Sequence, residues 1–249
     1  MATRDEMSQS FGRAADAYEQ GRPAYPAESV EWMLAPSRRA EPAVRVADVG
    51  AGTGKLTRTL VEAGAEVVAI DPDAEMLRAL RAHVRGVPTY EGTAERLPLP
   101  DESVDAVVLG QAWHWVEPVA GCAEIGRVLR PGGVLGLVWN IRDESVPWVR
   151  RLTEIMRGSH AEQMLAAGDP PLAPPFTATE RRQWRWSREM TRAALTSMVF
   201  SRSYLITADE DERARVDAEI ADLFDEVGAV EDATIALPYV TSAYRSVAP

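Results

Sequence analysis

A glycine-rich turn is the first part of the sequence whose residue types and spacing could support chemistry. Gly50, Gly52 and Gly54 alternate with small residues between an apolar run and a helix-like run. Glycine has no Cβ, so its backbone can approach a ligand closely, and such turns hold nucleotides and related molecules. A loop for a nucleoside triphosphate needs its first glycine at Val49 and a magnesium-binding hydroxyl at Leu56, so this sequence excludes that ligand.

Two interpretations of the turn stay open. A dinucleotide fingerprint requires a third glycine at Lys55, and the side chain there weakens that interpretation. The other pattern is acidic-x-G-x-G-x-G, which starts at Asp48 with a carboxylate that suits a cationic ligand or orients loop amides. Asp71 ends the next apolar run, where a carboxylate can accept hydrogen bonds from both ribose hydroxyls. It could instead cap the following helix, but strand end, helix start and glycine turn together favour ribose binding.

His114 is the best candidate for proton transfer. It lies just past another apolar run, in the stretch "GQAWHWVEP". Imidazole exchanges protons readily near neutral pH, which suits a general base. The alternatives are that His114 caps the next helix or is wedged between Trp113 and Trp115.

Apolar runs alternate with helical patterns along the chain, and this alternation predicts the elements that must position these residues. The expected strands are 44–49, 66–70, 87–90, 104–109, 134–139, 183–190 and 234–240. The expected helices are 55–63, 73–83, 118–129, 148–157, 192–200 and 209–227, with a sharp turn at Arg130–Gly133. Continuous apolar strands joined by helices indicate a mostly parallel, doubly wound α/β sheet of seven strands, covered by helices on both faces. Ligands bind such sheets beyond the carboxyl ends of the strands, near the glycine turn, Asp71, Thr93 and Gly110–His114.

Composition and charge narrow the class of protein. The chain has 249 residues and a formal net charge of −11, so we expect no nucleic-acid binding, which depends on Lys and Arg neutralising phosphates. The stretch "ERRQWRWSR" mixes arginine with tryptophan as single-strand binders do, but its alternation also fits one face of a strand. A single cysteine, Cys122, allows no internal disulfide and no cysteine metal cluster. No run has the length of a membrane span, so we expect a cytoplasmic protein.

Four stretches together resemble one known family. "VADVGAGTGKLT", "VVAIDPDAEML", "YEGTAERLPLPDESVDAVVLGQAWHWV" and "IGRVLRPGGVLGLVWN" look like successive motifs of class I S-adenosylmethionine-dependent methyltransferases, in the right order and at the right intervals. The most similar branch acts on small molecules and includes the ubiquinone/menaquinone C-methyltransferases and the trans-aconitate-type carboxyl methyltransferases. The segment "FGRAADAYEQGRPAYP" also resembles the one that precedes the core in that branch.

The resemblance implies a Rossmann-like fold with a largely helical cap, in one domain spanning residues 1–249. Its parts would be an N-terminal helical flap (1–40), a cofactor-binding core (41–140), a substrate-side elaboration (141–231) and a final strand with its tail (232–249).

The resemblance also implies a cofactor-binding role for each matching residue. The methionine moiety of S-adenosylmethionine would be lined by Gly50, Ala51 and Gly52. The ribose would be held by Asp71. The adenine would lie near Pro72 and Met76, and its amino group would meet Thr93, Ala94 and Glu95, although the family often has Asp or Asn where Thr93 stands. The methyl donor would be bordered by Gly110 and Gln111.

On the substrate side, Trp113, Trp115 and Trp139, with Trp148, predict an apolar pocket that excludes water, unless they are core residues. Tyr18, Arg22 and Tyr25 would form a flap over the cofactor, with Arg22 near its carboxylate, or else pack as a plain N-terminal helix. Arg202 would belong to a lid with Tyr204. It could grip an acidic substrate, as could Arg142, Arg150 and Arg151, although solvated surface arginines are the commoner outcome.

The function expected is methyl transfer from S-adenosylmethionine to a small molecule, leaving S-adenosylhomocysteine. We favour a carboxylate or hydroxyl of a modestly apolar metabolite as acceptor. The reaction requires no metal, and His114 would act as base where the acceptor must lose a proton. The alternatives are an NAD-dependent oxidoreductase and a non-catalytic S-adenosylmethionine-binding module.

Overall fold

The computed structural model describes residues 23–37, 43–156, 158, 160–200, 205, 208–228 and 233–249. The helices are α1 Ala27–Leu34, α2 Lys55–Glu62, α3 Ala74–His83, α4 Pro118–Val128, α5 Pro147–Ile155, α6 His160–Ala167, α7 Arg192–Phe200 and α8 Glu210–Glu226. The strands are β1 Arg45–Val49, β2 Glu66–Asp71, β3 Thr89–Glu91, β4 Val104–Gly110, β5 Leu129–Arg142, β6 Glu180–Thr191 and β7 Thr234–Val247.

The seven strands form one sheet in the order β3-β2-β1-β4-β5-β7-β6. The first five run parallel, whereas β7 runs antiparallel to both of its neighbours, β5 and β6. The strand order reverses direction between β1 and β4, which creates the crevice where ligands of such sheets bind. The predicted fold class is confirmed.

Buried apolar side chains cover both faces of the sheet. On one face, α1 and α2 pack against β1, β4 and β5, and the members of this cluster include Met33, Leu60, Val46, Val108 and Val138. On the other face, α4 packs through Ile125 and Val128 against Leu109, Leu137 and Trp139. A third cluster joins α5, α7 and α8 to β6 and β7. The segment after β5 therefore supplies the helical cap and also the edge strand β6.

The stretch Arg130–Gly133 differs from its prediction as a turn that precedes a strand. It lies inside β5 as a bulge, because Val104 pairs with Leu129 while Ala106 already pairs with Val134. Arg130 donates to Asp105, the residue opposite the bulge, with an N–O distance of 2.8 Å. The sequence shows the kink, but this cross-strand anchor keeps both sides of the kink in one strand.

The part of the chain described above contains no helix long and apolar enough to cross a bilayer.

Candidate active site

The glycine turn joins β1 to α2 at the carboxyl edge of the sheet. Gly50, Gly52 and Gly54 have φ values of 68°, 55° and 91°, a region that side chains with a Cβ disfavour. The amides of Gly50 and Ala51 both donate to the carbonyl of Ile70 on β2, at 2.8 and 3.1 Å. The turn is therefore fixed to the neighbouring strand by its own backbone.

Two of these glycines face different surroundings. A Cβ on Gly50 would lie 2.6 Å from the Cβ of Ala112, so the loop after β4 can pack against the turn only because that position is glycine. A Cβ on Gly52 would meet nothing within 4 Å. The space in front of Gly52 therefore belongs to the cleft.

Asp71 connects the end of β2 to the glycine turn. Its Oδ2 accepts the Gly52 amide and its Oδ1 accepts the Asp73 amide, both at 2.9 Å. The helix cap of α3 is Asp73, whose carboxylate accepts the amides of Glu75 and Met76. The alternative role of Asp71 as a helix cap is therefore wrong. Burial raises its pKa to about 6, opposed by the two backbone hydrogen bonds.

Asp48 lies fully buried beneath the turn. Its Oδ2 accepts the Thr57 hydroxyl at 2.6 Å, which anchors the first turn of α2 to β1. Its Oδ1 has no hydrogen-bond partner within the described structure. Burial raises the pKa of Asp48 to about 7, Thr57 lowers it, and the nearby charge of Asp71 raises it further. The sequence suggested Asp48 as the residue that orients loop amides, but Asp71 performs that role at Gly52.

The opposite wall of the cleft comes from the ends of β4 and β5. Gln111 has a φ of 56°, an uncommon conformation for a residue with a side chain. Its amide donates to the carbonyl of Val138 at 2.9 Å, and its Nε2 donates to the carbonyl of Asn140 at 2.8 Å. A Cβ on Gly110 would lie 2.7 Å from the hydroxyl oxygen of Tyr25, so the tyrosine packs directly on the glycine backbone. Strained backbone conformations are common at ligand-binding sites, so the strain at Gln111 agrees with a functional role for this wall of the cleft.

These two walls enclose about 450 Å³ of space, including its open mouth. The lining residues are Pro23, Tyr25, Gly50, Ala51, Gly52, Thr53, Lys55, Leu56, Gly110, Gln111 and Asn140. Gly50, Ala51, Gly52, Gly110 and Gln111 were predicted as cofactor-binding and Tyr25 as part of a flap, and all six come together here.

The sequence prediction missed several residues that line the cleft. Thr53, Lys55 and Leu56 follow the glycines directly, so their place in the turn was a usable signal. Pro23 and Asn140 are harder to find. Asn140 ends an apolar run, as polar residues at ligand-binding strand ends do, but only the folded chain shows its partners.

The remaining predicted cofactor residues lie around the ends of β2 and β3. Met76 is buried in the first turn of α3, and Pro72 is exposed beside Asp71. Thr93 and Arg96 exchange backbone hydrogen bonds that close a turn around the buried Ala94. In that turn, the Glu95 carboxylate accepts the amide of Glu117 at 2.8 Å, which ties the turn to the start of α4.

His114 lies in a short 3₁₀ turn, Trp113–Trp115, that follows β4. Its ring centroid lies 4.9 Å from that of Trp115. The centroid of Trp115 in turn lies 5.3 Å from that of His160, at the start of α6. Helix α4 is capped by the side chain of Glu117, so His114 is not its cap. His114 therefore follows the cleft residue Gln111 by three positions without being one of the residues that line the cleft, and it contacts one of the two predicted tryptophan neighbours.

Trp113 and Trp139 are core residues, and the structure does not support their predicted place in a substrate pocket. Trp113 is 1% exposed and its Nε1 donates to the carbonyl of Pro171 at 3.0 Å. Trp139 is completely buried against Tyr244, with ring centroids 5.8 Å apart. Trp148 is partly buried and packs against the third cluster, which joins α5, α7 and α8 to β6 and β7. Composition alone does not distinguish an aromatic core from an aromatic pocket.

The arginines predicted to grip an acidic substrate have protein partners where the structure describes them. Arg142 forms a buried ion pair with Glu162 at 2.6 Å. Arg151 pairs with Glu226, and Arg150 donates to the carbonyl of Glu144. The remaining predicted residues lie outside the described residues: Tyr18, Arg22, Arg202 and Tyr204.

Comparison with known proteins agrees with this architecture. Residues 47–137 match a family model described as a methyltransferase domain. An uncharacterised methyltransferase of Mycobacterium bovis is 47% identical over 250 residues, which cover 98% of each chain. A malonyl-[acyl-carrier protein] O-methyltransferase of Methylococcus capsulatus is 44% identical over 133 residues, 51% of this chain and 48% of that protein.

A solved structure of a putative type II methyltransferase from Anaeromyxobacter dehalogenans has the same fold, with a TM-score of 0.64 and 24% identity. The alignment covers 91% of this chain and 97% of that one. These matches, together with the glycine turn and the bridging Asp71, exclude the alternative of an NAD-dependent oxidoreductase. The chain belongs to the class I S-adenosylmethionine-dependent methyltransferases.

Proposed function

We propose that the cleft binds S-adenosylmethionine with its methionine moiety against Gly50–Gly52 and its ribose at Asp71. The observation that carries this proposal is the Asp71 bridge, which joins a carboxylate to the amide of Gly52, the residue that faces open space in the cleft. A carboxylate accepts about four hydrogen bonds. The amides of Gly52 and Asp73 use two of them, and two ribose hydroxyls would use the others.

The residues beneath the turn suit a cationic ligand. Asp48 and Asp71 are buried close enough for their charges to interact, and the groups that lower their pKa values are hydrogen-bond donors. The positive sulfonium of S-adenosylmethionine would stabilise their ionised forms. When bound, the cofactor supplies an activated methyl group for an in-line displacement. The chain's part is to orient the acceptor and exclude water.

The adenine would lie over the end of β2, between Met76 of α3 and the turn of Thr93, Ala94 and Glu95, with Pro72 at its exposed edge. The backbone hydrogen bonds of that turn and the contact of Glu95 with the amide of Glu117 support this placement, because they fix the turn next to Asp71.

For the acceptor, we propose a carboxylate or hydroxyl of a modestly apolar small molecule. The relative from Methylococcus capsulatus, which matches 51% of this chain, is an O-methyltransferase and supports oxygen as the accepting atom. A carboxylate acceptor is already ionised and needs only to be positioned. A hydroxyl acceptor must lose a proton, and His114 would accept it.

Isothermal titration with S-adenosylmethionine, S-adenosylhomocysteine and NAD⁺ tests the cofactor assignment. We expect binding of the first two and none of NAD⁺. A screen of carboxylic acids, phenols and thiols for S-adenosylhomocysteine release then tests the acceptor class. Turnover confined to thiols would contradict an oxygen acceptor. Cofactor binding without turnover on any acceptor class would favour the non-catalytic alternative.

The role of His114 is tested by His114→Ala. With a hydroxyl acceptor we expect kcat to fall by about 100-fold, the contribution of a general base, while the Kd for S-adenosylmethionine changes less than about twofold. His160→Ala is the matched control, because His160 contacts the same Trp115 ring from α6. An unchanged kcat in His114→Ala, or an equal loss in both variants, would remove His114 from the mechanism.

A further inference from the structure

Asn140 is a polar residue of the cleft wall that has no part in the function proposed above. It is 6% exposed and lies near the end of β5. Its Nδ2 donates to the carbonyl of Ala24 at 3.1 Å, and its Oδ1 accepts the hydroxyl of Thr241 at 2.6 Å. Thr241 in turn accepts the indole N–H of Trp186 at 2.8 Å. A continuous chain of hydrogen bonds thus runs from the edge strand β6 through β7 and β5 to the cleft.

Each bond in this chain has only one possible direction. The indole nitrogen of Trp186 can only donate, and the backbone carbonyl of Ala24 can only accept. The hydroxyl of Thr241 accepts from the indole and gives its own hydrogen to Asn140. The side-chain amide of Asn140 must therefore face Ala24 with its nitrogen and Thr241 with its oxygen. The indole of Trp186 and the carbonyl of Ala24, at the two ends of this series of hydrogen bonds, therefore fix the orientation of the Asn140 amide.

Residues Pro23–Tyr25 form what we call the N-terminal wall of the cleft, and two contacts tie it to β4 and β5. One is the Asn140 bond to Ala24. The other is the packing of the Tyr25 hydroxyl on Gly110. Pro23 and Tyr25 both line the cleft, so a shift of the wall changes the shape of the space next to Gly50–Gly52.

We propose that Trp186, Thr241 and Asn140 form a positioning relay that holds the N-terminal wall against the cofactor cleft. Trp186 is itself fixed, because its ring stacks on Tyr239 with centroids 5.0 Å apart and planes inclined by 16°. The relay therefore couples the packing of the sheet edge to the closure of the cleft. None of the bonds between Trp186, Thr241 and Asn140 requires a ligand.

Thr241→Val tests the relay, because it removes the hydroxyl while keeping the shape of a buried, β-branched strand residue. The Asn140 oxygen and the Trp186 indole then each lose a partner, and a buried polar group without a partner is costly. We expect the amide to leave its orientation and release Ala24. The Kd for S-adenosylmethionine should rise about tenfold, which corresponds to about 1.4 kcal/mol.

Ser242→Ala is the matched control. Ser242 follows Thr241 on β7 and accepts a hydrogen bond from Gln183 on β6 at 2.8 Å, so it makes the same kind of cross-strand contact outside the relay. Its Kd should stay within about twofold of wild type. Thr241→Ser restores the hydroxyl and should restore affinity. Trp186→Phe removes the other end of the relay and should weaken binding in the same direction as Thr241→Val.

Hydrogen–deuterium exchange of the ligand-free protein separates this inference from the proposed function on which its affinity readout rests. We expect faster exchange in the peptide spanning Pro23–Leu34 for Thr241→Val and not for Ser242→Ala. Equal exchange and equal Kd in the two variants would overturn the relay. If the exchange difference appears but the wild-type protein does not bind S-adenosylmethionine, the relay stands and the cofactor assignment fails.

Discussion

Asp71 and Asp73 lie two residues apart after the same strand and have separate structural roles. Asp71 bridges to the glycine turn, whereas Asp73 caps α3. Asp71→Ala should therefore weaken S-adenosylmethionine binding by at least about 100-fold, because the two charge-assisted hydrogen bonds that we propose to the ribose and the orientation of the Gly52 amide would be lost together. Isothermal titration measures the effect.

Asp73→Ala is the control for that experiment. It should lower the free energy of unfolding by about 1 kcal/mol, the usual cost of a lost cap, and leave cofactor affinity nearly unchanged. Wild-type affinity in Asp71→Ala would refute the ribose assignment. A similar loss of affinity in both variants would show that the loop as a whole, and not the Asp71 carboxylate, determines binding.

Asp48 makes the stability of the protein depend on pH. Its pKa is about 7 in the folded chain against an ordinary value of 3.8, so between these values the folded state holds a proton that the unfolded state has released. The free energy of unfolding contributed by Asp48 is therefore highest below pH 4 and falls as pH rises to about 7. Asp71, with a folded pKa of about 6, acts in the same direction over a narrower window.

Asp48→Asn should remove most of the pH dependence due to this residue. Between pH 4.5 and pH 8, the variant should gain on the order of 3 kcal/mol in unfolding free energy relative to wild type. Urea denaturation at several pH values measures the difference. Parallel stability curves for the two proteins would mean that the pKa of Asp48 is not raised in the fold.

Among the elements, β4 ends under the N-terminal wall, and Gly110→Ala tests that contact. The new methyl group would lie 2.7 Å from the Tyr25 hydroxyl, so we expect Tyr25 to move, the unfolding free energy to fall by about 1–3 kcal/mol, and cofactor affinity to drop. Gly126→Ala on α4 is the matched control, since its methyl group would lie 2.7 Å from Pro175 in the loop between α6 and β6. Gly126→Ala should lower the unfolding free energy without changing cofactor affinity. If Gly110→Ala also kept wild-type affinity, a role for Tyr25 in the cleft would be contradicted.

The ion pair of Arg142 and Glu162 joins β5 to α6, with only 8% and 11% of the two side chains exposed. Arg142 also donates to Thr153 of α5 at 3.2 Å. Arg142→Met should cost about 3–5 kcal/mol in unfolding free energy, because Glu162 keeps its buried charge and loses this counter-ion. The double variant Arg142→Met with Glu162→Met should recover most of that loss. Strict additivity of the two single variants in urea denaturation would contradict a coupled pair.

The sequence predicts the strands of the molecule well where they are buried on both faces. The expected strand 66–70 is observed as Glu66–Asp71 and the expected strand 104–109 as Val104–Gly110, because a buried parallel strand is continuously apolar. The last strand is observed to run to Val247, seven residues beyond its predicted end. Polar residues such as Thr241 and Ser246 lie in that extension, where Thr241 bonds to Asn140 on β5 and Ser246 to the carbonyl of Ala178 just before β6. These hydrogen bonds allow both residues to be buried.

The candidate site likewise contains residues that a local pattern predicts and residues that only distant contacts explain. Local spacing predicts the glycine turn and Asp71, because their chemistry is contained in a few adjacent residues. The roles of Asn140 and of Trp139 depend on partners about 100 residues away in the chain. No local pattern distinguishes Trp139, a core residue, from an aromatic residue that lines a pocket. The acceptor-side residues are therefore the part of the site that sequence reasoning reaches least.

At the scale of the whole molecule, the antiparallel strand β7 has a consequence for synthesis on the ribosome. It fills the gap between β5 and β6 and pairs with β5 from Val134 to Arg142, yet it is made about 90 residues after β5 ends. At about 5–20 residues per second, the nascent chain carries the long apolar β5 with one unpaired edge for roughly 5–20 seconds. An unpaired apolar edge invites pairing with other chains. The arrival of β7 therefore sets the end of the period in which a newly made chain is most prone to aggregate.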